Sequence, residues 1–208
     1  MIRAIFLDVD GTLISFSTHE IPASARRALT QAHERGVRLF IATGRAANDL
    51  GPLEGIPYDG VVSLNGARCV ANDGRVVSLH PIPRADFERA LALSEEQDFA
   101  MGLELEEGVF VNRVTPDVKR VAHMVAHPVP EQTDLRELFG RVECCQLCFY
   151  FDAETQRRVM AELPTLVASR WCPIFADVNV AGIDKATGME EFMRSYGFSA
   201  AEVAAFGD

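Results

Sequence analysis

The sequence predicts an α/β protein: a mainly parallel sheet with an α+β segment of different texture inserted in it. Three observations carry this reading. The chain opens on a four-residue apolar run, Ala4-Ile5-Phe6-Leu7, which ends in Asp8-Val9-Asp10 and breaks at Gly11-Thr12. A short continuous run of this kind suits a strand buried on both faces. A helix-spaced segment and a second apolar run follow, the order of a right-handed parallel βαβ unit. Beyond Pro81 and Pro83 helices mix with strand pairs, and the first pattern returns only after residue 180.

Taken in order, residues 1–81 form the first part of the parallel layer. Residues 21–35 place apolar or small side chains at Ala25, Ala28, Leu29 and Ala32. Pro22 suits their first turn and Gly36 the position past their end. Residues 37–42 read as the second strand, which delivers Thr43-Gly44-Arg45 to the same sheet edge as Asp8. A short helix is expected over residues 45–50. A Gly/Pro-rich link then leads to a third strand, residues 60–64, closed by Asn65-Gly66-Ala67. Residues 68–71 and 75–79 flank Asn72-Asp73-Gly74, and Asp-Gly between apolar runs marks a hairpin because its turn needs positive φ.

The inserted segment, residues 82–180, is expected to hold helices over 84–97, 117–127, 135–139 and 153–163. Its strands are expected over 99–105, 108–113, 142–151, 165–169 and 174–180, as an antiparallel sheet with helices on one face. Phe87, Leu91 and Phe99 read as its core. Residues 181–208 return to the parallel layer, as the second and incomplete part of the core, with a helix over 184–196, stopped by Gly197, and a buried strand over 203–206 that delivers Gly207-Asp208.

Composition narrows the function. The 208 residues are 48% hydrophobic and 24% charged, an ordinary globular balance. A net charge of −10 argues against nucleic acid as partner, since phosphate backbones call for a basic face. No apolar run approaches the roughly 20 residues of a membrane span. Met1-Ile2-Arg3, four apolar residues and then acid make no secretory signal, so the cytoplasm is the expected compartment. Five cysteines form no disulfide spacing; Cys145 and Cys148 make a CxxC, but no second pair stands at zinc-finger spacing and buried thiols account for them better. His123 and His127 are four apart without a third ligand and read as surface residues.

The chemistry-bearing residues fall at strand ends and helix starts: Asp8 and Asp10, Thr43-Gly44, Lys185 and Asp208. Ligands bind at the carboxyl ends of strands in open α/β sheets. Two carboxylates there can share a hard cation, and one can attack an electrophile. Each residue also has a plain structural reading, as turn former, helix cap, solvated lysine or exposed end. Their joint order decides between the two.

Asp8-Val9-Asp10-Gly11-Thr12 resembles the first signature of the haloacid dehalogenase-like hydrolases, a superfamily made up mostly of phosphatases. Thr43 in Ile41-Ala42-Thr43-Gly44-Arg45 is similar to the second, Lys185 in the 182–188 stretch to the third, and Gly207-Asp208 to the first half of the fourth. The resemblance is closest to the Cof-type branch, given Thr43-Gly44-Arg45, Asn65-Gly66-Ala67 and the inserted segment.

It implies a Rossmann-like core (residues 1–81 and 181–208) with an α+β cap (82–180) that closes over it and sets specificity. It also implies Asp8 as nucleophile, Asp10 as general acid and base, and Val9, Thr43, Gly44 and Lys185 around the phosphate. Mg2+ would be held by Asp8, the Asp10 carbonyl and Asp208. The expected activity is Mg2+-dependent hydrolysis of small phosphate esters such as sugar phosphates through an aspartyl-phosphate. The alternatives are phosphomannomutase-like phosphotransfer and a non-catalytic ligand-binding or regulatory role. The family pattern continues past Gly207-Asp208 to a further acid, helix and strand, so a core truncated at that end is also expected. The oligomeric state is not legible.

Overall fold

The structure is a computed structural model that describes residues 1–15, 17, 18 and 20–207, the Pro52 side chain apart. It divides into two compact units, residues 1–79 with 183–208 and residues 80–182.

The first unit opens with β1 (Ala4–Leu7), α1 (Ala23–Glu34), β2 (Arg38–Ala42), β3 (Gly60–Ser63), β4 (Arg68–Ala71) and β5 (Val76–Leu79). The second holds α2 (Arg84–Glu96), β6 (Ala100–Leu105), β7 (Gly108–Val111), α3 (Pro116–Met124), β8 (Glu131–Gln132), α4 (Leu135–Phe139), β9 (Gln146–Tyr150), α5 (Ala153–Met160), β10 (Leu166–Cys172) and β11 (Phe175–Val180). The chain returns to the first unit with α6 (Lys185–Tyr196) and β12 (Val203–Phe206).

The first unit's sheet runs β12-β1-β2-β3-β4-β5. Its first four strands are parallel, and β4 and β5 form an antiparallel hairpin on β3. Successive side chains alternate between faces. Phe6, Phe40 and Val62 share one face with Phe192 of α6, while Leu39, Ile41 and Val61 share the other with Leu29 of α1. The rings of Phe6 and Phe40 stack at 4.9 Å between centroids, and Phe192 meets Phe40 at 4.7 Å. This aromatic block seats α6, and with it Lys185, on the sheet. Asp184 caps α6 by accepting from the Thr187 amide (2.8 Å), and Gly197 ends it in the left-handed region at φ 70°.

Two expectations change here. Residues 45–50 are not helical; a turn leads to one 3-10 turn at Gly51–Leu53. The Thr43 hydroxyl accepts from the Arg45 amide (3.1 Å), a local bond that competes with helix start, and the Arg45 side chain is drawn to Asp10 and Asp49. The cysteine-rich strand begins at Gln146 rather than residue 142. The Cys144 carbonyl accepts from the Ile82 amide and that of Cys145 from the Asn179 side chain, so this backbone is committed outside a ladder.

The second unit's sheet runs β10-β11-β9-β6-β7-β8, antiparallel except between β7 and β8. One face, with Met101, Leu103, Leu147, Phe149 and Val178, packs on Phe87 and Leu91 of α2, Leu135 of α4 and Val159 of α5. Helices were expected on one face only. The other face, with Ala100, Val111, Cys148 and Tyr150, packs on Val118 and Val121 of α3. Apolar residues at alternate positions on both faces of β6 and β9 require cover on both sides. His127 lies past the end of α3 and so does not share a helix with His123.

Candidate active site

Asp8 follows β1 directly. Its amide donates to the Phe206 carbonyl (2.9 Å), which carries the β1–β12 ladder one residue further and brings Gly207 alongside. The Asp8 carboxylate is only 11% exposed, and its Oδ1 accepts a hydrogen bond from Lys185 Nζ at 2.5 Å. Lys185 is the first residue of α6, so a helix start and a strand end together place a cation on a nearly buried carboxylate. Charge-assisted bonds of this kind hold geometry firmly.

The chain turns after Asp10. Gly11 has φ 81°, its amide donates to the Ile14 carbonyl, and the Ile14 amide donates back to the Val9 carbonyl (2.9 and 2.8 Å). That φ is open to glycine at no steric cost. The Val9 side chain is buried in the core, so only its backbone can address a ligand. The Asp10 side chain is 45% exposed and points to a different partner. Arg45 donates from Nε to Oδ2 (2.9 Å) and from a terminal nitrogen to Oδ1 (2.7 Å). Two carboxylates two residues apart are thus held by different cations in different surroundings. Asp10, with the Asp49 carboxylate close by, raises the Arg45 guanidinium above its ordinary value, so that side chain is charged.

Thr43 is buried at the end of β2, fixed by a bond from its amide to the Val62 carbonyl (2.8 Å). Because its hydroxyl oxygen accepts from the Arg45 amide, the hydroxyl hydrogen is left to donate to a ligand. Gly44 lies against Asn65; a Cβ there would come within 3.0 Å of Asn65 Oδ1. Leu64 and Asn65 both have positive φ (49° and 56°), and their amides donate to the Arg45 and Thr43 carbonyls (both 3.1 Å). The loop after β3 is thereby laced to the loop after β2. Asp208 lies outside the described residues.

Sequence reasoning named no role for Arg45 or Asn65. Arg45 stood in the Thr43-Gly44-Arg45 stretch, but nothing local announces a pairing with a residue 35 positions away.

In the second unit, Glu104, Cys148 and Asp177 bring their ligand atoms within 4.8 Å of one another. The Gln146 amide donates to both carboxylates (2.7 and 3.1 Å). Burial, with the two carboxylates beside it, pushes the Cys148 thiol well up, so it stays protonated and is a poor metal ligand. All five cysteines are buried, and none is joined in a disulfide.

A family model described as haloacid dehalogenase-like hydrolase matches residues 5–208. The chain belongs to the haloacid dehalogenase-like hydrolases. Among solved structures it resembles the phosphatase BT1666 from Bacteroides thetaiotaomicron, at 53% identity and a TM-score of 0.94, over 99% of this chain and 76% of that one. It also resembles the subclass IIB sugar phosphatase BT4131, at 30% identity and a TM-score of 0.85, over 98% of this chain and 79% of that one. The HMP-PP phosphatase of Cronobacter sakazakii is 24% identical over the whole of this chain and 78% of its own length. This hydrolase is therefore a phosphatase or phosphotransferase of its superfamily, with a parallel-sheet core and an inserted cap. Among the described residues, no helix is long and apolar enough to cross a membrane.

Proposed function

We propose that this hydrolase cleaves small phosphate monoesters, sugar phosphates among them, in two steps on Asp8. The observation that carries the reading is the different setting of its two carboxylates. Asp8 is nearly buried and paired with Lys185, whereas Asp10 is half exposed on its own arginine. A nucleophile must be fixed; an acid and base must reach both leaving group and water.

Asp8 attacks phosphorus, the bond from phosphorus to the ester oxygen breaks, and the Asp10 carboxylic acid gives its proton to the departing alkoxide. Asp10, now a carboxylate, takes a proton from water as that water attacks the aspartyl-phosphate, releasing inorganic phosphate and restoring Asp8. The Thr43 hydroxyl and the Gly44 amide donate to phosphoryl oxygens. Lys185 offsets the charge shared by phosphate and nucleophile, as a compact cation can.

The donor set at the end of β1 suits Mg2+: the Asp8 carboxylate and the Asp10 carbonyl are hard oxygen ligands, and Asp208 would add a third. Mg2+ held there would supply positive charge against the phosphoryl oxygens. Phosphate release from an aryl phosphate tests this reading. Chelation is expected to abolish release, and Mg2+ to restore it. Ca2+ is expected to restore little, because its larger and looser coordination shell does not hold the in-line geometry. Release that persists in chelator, or phosphate that appears on a second sugar instead of in solution, counts against hydrolysis as proposed.

A further inference from the structure

Arg45 is built into the site more firmly than a surface arginine needs to be. Its amide donates to the Thr43 hydroxyl, and its carbonyl accepts from the Leu64 amide. Its guanidinium grips Asp10 through two nitrogens on one side, and on the other donates to the Asp49 carboxylate (3.2 Å) and carbonyl (3.3 Å). Backbone and side chain are both fixed, from two directions each.

We infer that Arg45 is the positioning residue for Asp10, a fork that sets the plane and direction of the carboxyl that trades protons with the leaving group and water. The inference rests on the reading of Asp10 as acid and base. A half-exposed aspartate otherwise turns freely about its two side-chain torsions, so its proton is seldom aimed at the ester oxygen. Two parallel N–H···O bonds remove that freedom, because a guanidinium matches a carboxylate in plane and spacing. Asp49 and the Leu64 amide keep the fork itself from swinging. Lysine would preserve the charge but hold a single point, so the pairing calls for arginine.

A positioning role predicts a dependence on leaving group that a merely structural role does not. Alkoxides need a proton as they depart; dinitrophenolate does not. The test is kcat/KM, which reports the first phosphoryl transfer, across monoesters whose leaving groups run from alkyl alcohols to dinitrophenol. Arg45→Lys and Arg45→Gln are expected to lose about 10²-fold at the alkyl end and no more than about threefold at the dinitrophenyl end. Asp10→Asn should show the same slope, and Asp8→Asn a loss of at least about 10³-fold on every ester. An equal loss along the whole series, or no loss, overturns the positioning role. If Asp8→Asn retains a tenth or more of the activity, the aspartyl-phosphate reading fails instead. If Asp8→Asn is inactive and Asp10→Asn shows the slope while both Arg45 variants do not, only the inference about Arg45 fails.

Discussion

Replacing Asp8 by Asn is expected to lower kcat/KM by at least about 10³-fold while leaving the fold intact, since removing a nucleophile removes the route and not only one interaction. The substitution is nearly isosteric. Its amide loses the anionic charge that pairs with Lys185 and lacks the nucleophilicity to attack phosphorus. The neighbouring Asp10 is already committed to Arg45 through both carboxylate oxygens. Substrate binding should survive, through Thr43, Gly44 and Lys185, so the loss belongs in kcat and not in KM. Steady-state kinetics with unchanged circular dichroism checks the prediction; a variant that retains a tenth of its activity contradicts it.

The second large effect lies in a glycine. Gly66 has φ 96°, and a Cβ built on it would sit 1.9 Å from the Asp184 carbonyl oxygen and 3.2 Å from the Lys185 amide nitrogen. The obstacle is backbone, the start of α6 itself. Gly66→Ala therefore has to push the helix start away from the loop after β3 or unwind that loop, in addition to forcing a left-handed alanine. A destabilisation of about 3–4 kcal/mol is expected, overpacking and left-handed strain acting together. Because Lys185 leads α6, the folded fraction should also lose activity through a weakened hold on Asp8. Gly51→Ala, where no atom lies within 4 Å of the added Cβ, serves as control and should stay within about 0.5 kcal/mol of the parent. Urea unfolding of both variants measures the difference.

Asp8 and Gly66 stand on opposite sides of what the sequence makes legible. Asp8 and Asp10 announce themselves because a strand of four apolar residues ends on them, and Lys185 because Asp184 and Gly197 bracket its helix. Such signals are local. The βαβ order and the Asp-Gly hairpin are local too, and the parallel sheet with its added hairpin follows from them.

What was hidden depends on partners far along the chain. Residues 45–50 have small and apolar side chains at tolerable helical spacing, yet the Thr43 hydroxyl and the carboxylates of Asp10 and Asp49 claim Arg45 for a turn. The Asn65-Gly66-Ala67 stretch reads as a simple strand stop. Its actual constraint is the close approach of Asp184, more than a hundred residues later. In the second unit the position of α3 on the far sheet face was hidden for a similar reason. Apolar alternation in β6 and β9 states that both faces are covered, not which helix covers each.

Covalent attack by Asp8 is central to the proposed chemistry, and trapping the intermediate tests it most directly. Enzyme quenched during turnover and reduced with borohydride should carry homoserine at position 8, the product of reducing an aspartyl-phosphate there. Turnover that leaves aspartate at position 8 in every quenched sample would contradict the account and point to direct attack by water.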